Sequence, residues 1–101
     1  MNTYLILFET KPAMGSDNFG HFAGGLWTVW VVASDAESAM LRATDYAAER
    51  GWLFSRHERT ARVERAIHCG DDLMLQRFDE AQRVGIAAIL DTFKTKIVET
   101  N

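Results

Sequence analysis

Residues 26–33, LWTVWVVA, are apolar at every position except Thr28, and the chain runs from them directly into SDAESAMLRATDYAAERG. Side chains alternate across an extended strand, so Leu26, Thr28, Trp30 and Val32 face one way and Trp27, Val29, Val31 and Ala33 the other. A strand with one wet face alternates apolar with polar residues. This one does not, which predicts a central strand covered on both sides. Trp27 and Trp30 fall on opposite faces and cannot share one role.

The segment that follows predicts a helix. Ser34 is placed as its N-cap, with Glu37 completing an S-x-x-E box. Ala36, Ala39, Met40, Ala43, Tyr46 and Ala47 follow the helical repeat, and Gly51 after Arg50 supplies a stop. The apolar stripe is mostly alanine, so the helix can approach the strand closely and leave room for a tryptophan ring.

Residues 3–10, TYLILFET, predict a second strand apolar on both faces. Between the two strands lies a glycine-rich loop, residues 11–25, with Met14, Phe19 and Phe22 among its breakers. Apolar side chains in a long loop either fold back over the sheet or meet another molecule. Beyond the short apolar entry at Trp52, Leu53 and Phe54, the run SRHERTARVERAIHC supports two readings. As an edge strand its charges discourage unwanted pairing; as a helix it has only Val63, Ala66 and Ile67 for a stripe. The strand is preferred, because a helix here would leave a sheet of two strands.

Asp71 or Asp72 caps the next element, expected as a helix continuous over residues 73–94. Leu75, Phe78, Gln82, Ile86, Ile89, Leu90, Phe93 and Ile97 keep helical spacing, with Gly85 as an interruption. Such a helix is about 33 Å long, more than a small sheet of short strands covers. Residues 96–99 are left as a frayed helix end or a short last strand. The fold expected is α+β, a small antiparallel-rich sheet with two helices on one face, in the order β-β-α-β-α. The ferredoxin-like plan βαββαβ is an alternative, disfavoured because two strands precede the first helix.

At 101 residues and 48% hydrophobic content, one domain with its own core is expected. No apolar run reaches the roughly 20 residues of a membrane span, and the N-terminal apolar stretch lacks a basic start and a cleavage pattern. A cytoplasmic location without membrane association is therefore expected. The formal charge of −3 gives no basic field, so nucleic acid is an unlikely partner.

Metal and cofactor motifs are absent. His21, His57 and His68 lack the spacing of zinc sites, and the single cysteine, Cys69, has no evident activator and is expected to be buried and structural. The glycines of residues 11–25 match no phosphate-binding pattern and lead into a strand rather than a helix. Arg56, Arg59, Arg62 and Arg65 recur every three residues, but Glu58 and Glu64 interleave and no Phe, Tyr or Trp lies among them, which favours salt-bridged surface. No catalytic constellation emerges.

The function expected first is a non-enzymatic interaction or regulatory domain that forms a homo-oligomer, a dimer, or meets a protein partner. It rests on strands that need cover on both faces. The alternative is a small-ligand-binding protein or minor enzyme in which the 11–25 loop closes over Trp27 or Trp30. His21 is then its polar group, and Phe19 and Phe22 its apolar contacts. A nucleic-acid binder using residues 56–65 comes third.

Overall fold

In the computed structural model, which describes residues 1–94, the two apolar segments pair as an antiparallel hairpin, β1 (Asn2–Pro12) and β2 (Phe22–Ala33). The chain continues through α1 (Ala36–Glu49), β3 (Trp52–Val63), a short 3-10 turn (Arg65–His68), α2 (Asp72–Val84) and β4 (Ile86–Lys94). All pairings are antiparallel, and the four strands lie in the order β3-β1-β2-β4. The α+β expectation holds, and so does the central position of the two strands that are apolar on both sides. Residues 52–63 form the charged edge strand that was preferred over a helix.

The helices lie on opposite faces, not on one. Ala39, Ala43 and Ala47 of α1 pack with Ile6, Phe8, Trp27, Val29 and Val31. Phe78 and Ala81 of α2 pack with Trp30, Val63 and Ala87. Strand alternation demands this division, because Trp27 and Trp30 point apart and each needs a helix or its equivalent over it. The alanine stripe of α1 receives Trp27, whose ring lies parallel to Phe8 and edge-on to Tyr46.

The long second helix is also corrected. It ends at Val84, where Gly85 takes the left-handed conformation at φ +94°, and the remainder of the expected helix becomes β4. The run from Ile86 to Leu90 is apolar throughout and satisfies either period; pairing with β2 decides it, and the order becomes β-β-α-β-α-β. The possibility raised for residues 96–99 lies outside the described residues.

The first cap shifts by one residue. Asp35, not Ser34, is the N-cap: its backbone is extended, and its Oδ1 accepts the Ser38 N–H at 2.7 Å. That backbone hydrogen bond holds the Asp35 carboxyl below its ordinary 3.8. Asp71 caps α2 in the same way, accepting from Met74 N–H at 3.1 Å. Gly51 ends α1 as expected, at φ +86°. Arg42 of α1 reaches around the end of the sheet, donating through Nη1 to the Val32 carbonyl (2.7 Å) and through Nη2 to that of Gly85 (3.5 Å).

Gly85 gives a test whose sign separates the two readings of the C-terminal half. In a continuous helix, Gly85→Ala would stabilise by about 1 kcal/mol. At a left-handed cap the added Cβ costs about 1–2 kcal/mol. We expect the urea midpoint of G85A to fall below that of the native protein.

Candidate functional site

The strands of the central hairpin are about 40 Å long at roughly 3.4 Å per residue, while α2 is about 20 Å. One helix therefore covers about half of its face. On the α1 side, aromatic rings fill the rest: Phe22 lies 6.0 Å from Trp52, and Phe54 lies 6.0 Å from Phe8. On the α2 side nothing comparable follows among the described residues. Leu5, Leu7, Leu26, Thr28 and Ile89 remain half-buried.

A groove of about 540 Å³ opens where the α2 side is left bare. Leu5, Leu7 and Thr28 form its floor, Ala61 and Val63 of the edge strand one wall, and Ile67 and Met74 the other. Its charged and polar lining comes from Arg59, Arg62, Thr28 and His68, with no carboxylate or thiol among the described residues.

His68 is held by burial and by one hydrogen bond. It is 4% exposed, and its Nε2 accepts the Trp30 Nε1–H at 3.0 Å, with Trp30 fully buried. The imidazole also stands edge-on to the Trp30 and Phe78 rings, each centroid 5.8 Å away. An accepting Nε2 leaves Nδ1 as the protonated nitrogen of the neutral ring, and no described residue accepts from it. Nothing in the sequence marks His68 as buried, and Cys69 is expected to be the buried residue. The 3-10 turn reverses this: His68 turns inward against Trp30, and Cys69 is exposed.

The arginine run separates into two kinds. Arg56 pairs with Glu58 (Nε–Oε1 2.9 Å) and Glu9 (3.5 Å). Arg65 forks onto Asp79 (2.9 and 3.1 Å), and its hydrogen bonds hold the Asp79 carboxyl below the ordinary value. Arg59 and Arg62, between them, form no ion pair among the described residues, and both line the groove. Arg59 shares the face of Leu7, its partner in register; Arg62, opposite Tyr4, starts from the other face of the edge strand and contributes at the rim.

The residues singled out in the sequence are dispersed. Trp27 lies under α1, 3% exposed, and its Nε1–H has no acceptor among the described residues. Trp30 lies under α2. Phe22 packs on Trp52, Phe19 is 53% exposed and His21 is exposed. The loop is shorter than residues 11–25, because the hairpin strands extend into it. Its turns, residues 13–21, are tied to the C-terminal end of α1 through Ala13 N–H to the Gly51 carbonyl (2.8 Å) and Asn18 Nδ2 to that of Arg50 (3.5 Å). Among the described residues no group of three His, Cys, Asp or Glu is placed to hold a metal ion. No helix among them is long and apolar enough to cross a membrane.

The Trp30–His68 bond should be measurable as a coupling. Breaking one partner leaves the other buried without its hydrogen bond, which costs about 1–3 kcal/mol. A cycle of Trp30→Phe, His68→Leu and the double variant, followed by urea unfolding, is expected to return a coupling of about 1 kcal/mol or more. Additive losses would contradict the bond. The chain matches no family model, and no curated protein or solved structure is significantly similar to it.

Proposed function

We propose that this chain is a non-enzymatic binding domain for a small apolar molecule, held in the groove between α2 and the sheet. The observation that carries the reading is the groove itself: about 540 Å³, walled mainly by aliphatic side chains, with a few polar groups along it. Small-ligand sites have this size and composition, roughly 300–1,000 Å³ with a small number of polar contacts that orient the ligand. The polar lining supports binding over chemistry. The Nε2 of His68 is committed to Trp30, and among the described residues the groove has no carboxylate to work with it as acid or base. This reading keeps the ligand-binding class but takes its site from the face of Trp30 and the edge strand rather than from His21 and the loop.

Nile red, a neutral dye that brightens in apolar surroundings, tests it. Saturable one-to-one binding is expected, and Leu7→Gln, which places a polar group on the groove floor, should weaken it about tenfold. Binding that does not saturate, or that Leu7→Gln leaves unchanged, would remove the groove from consideration.

Self-association is a second reading, favoured by the far end of the same sheet face. Leu53 is 52% and Phe93 45% exposed there, at the two edges of the sheet. Apolar residues on an open sheet face suit contact with a second copy. Sedimentation equilibrium at micromolar concentration would then show a species above 11.4 kDa that Phe93→Glu returns to the monomer.

A further inference from the structure

We propose that the groove selects an amphipathic carboxylate, with the aliphatic body along Leu5, Leu7 and Met74 and the carboxylate on the guanidinium of Arg59. The proposal rests on the groove being a ligand site and adds the charge of what it holds. Its carrying observation is the contrast within one arginine run. Arg56 and Arg65 are each met by carboxylates of this chain, whereas Arg59 has none among the described residues and stands beside an apolar cleft.

A guanidinium presents parallel N–H donors in a fork that matches the two oxygens of a carboxylate. Arg59 is itself exposed, so the fork geometry supplies most of the pairing, and the aliphatic side chains beside it strengthen the pair relative to open surface. His68 also lines the groove; its Nε2 accepts from Trp30, so the ring's proton sits on Nδ1, which no described residue accepts. Thr28 adds a hydroxyl to the floor, and Arg62 a second cation at the rim. Among the described residues no carboxylate lines the groove, so an incoming carboxylate meets cations and donors there, although the chain as a whole is acidic.

Nucleic acid fits these observations less well. The net charge of −3 opposes a polyanion, the two outer arginines are already paired, and no Phe, Tyr or Trp lines the groove to stack on a base.

Titration calorimetry with decanoate, decanol and decyltrimethylammonium, each kept below its micelle concentration, separates the possibilities. Decanoate is expected to bind at least tenfold tighter than decanol, and the ammonium more weakly than either. Arg59→Gln should reduce decanoate affinity about tenfold or more and leave decanol unchanged, while Arg56→Gln, outside the groove, should leave both unchanged. Amide shifts on adding decanoate should centre on Thr28, Ala61 and Met74.

Equal binding of decanoate and decanol would overturn the charge selection and leave the groove reading standing. Failure of Nile red and all three ligands alike would remove the groove reading and this inference together. Preference for decanoate that survives Arg59→Gln would overturn the assignment of the head group. Tight binding of a single-stranded oligonucleotide with none of decanoate would replace the proposal with nucleic-acid recognition.

Discussion

Trp27 and Trp30 stand three residues apart on one strand and point to opposite faces, so the sheet cannot rest on a single layer. Each indole carries a large apolar surface and one N–H, and both must leave water. The chain meets the requirement with a helix on either side. On one side the small residues of α1 admit the ring of Trp27. On the other, Phe78 and Ala81 of α2 cover Trp30, and the 3-10 turn turns His68 inward to accept its N–H. The two sides are unequal in polar satisfaction, since the Trp27 Nε1–H lacks an acceptor among the described residues. They are unequal in cover as well, and the groove is a result of that second inequality.

Much of this could be read from the residues. The double-faced apolarity of residues 3–10 and 26–33 placed both strands in the middle of the sheet, and the alternating charges of residues 56–64 marked an edge. Capping chemistry located both helix starts, although Asp35 displaced Ser34 because a carboxylate is the stronger acceptor near the positive end of a helix. The C-terminal half was not legible. Residues 86–90 are apolar throughout, and a run of that kind fits a helix or a buried strand equally; Gly85 could be a kink or a stop until its backbone sign was known. Losing a strand there went with placing both helices on one face, which left the cover of the other face to the 11–25 loop or a second molecule, where α2 in fact supplies it.

The groove was illegible for a different reason. It is assembled from β1, β2, β3, the 3-10 turn and α2, and nothing local in the sequence marks it. The arginine repeat was visible, but its meaning depends on which members find carboxylates. Glu58 is two residues from Arg56 and could be guessed as its partner; Asp79 reaches Arg65 only because α2 packs back beside the turn. What remains unpaired in the middle is a property of the fold and not of the spacing.

Arg42 links the layers in a way their separate cores do not. It belongs to α1, yet its guanidinium holds carbonyls of Val32 and Gly85, and the Gly85 carbonyl also accepts the Val32 N–H at 3.0 Å. The residue at which α2 ends and β4 enters the sheet is thus fastened from the far side. Opening of α1 near its middle releases the anchor of β4, so the amides of that outer strand exchange with solvent in step with α1. Two faces with separate apolar cores are thereby made to open as one cooperative unit.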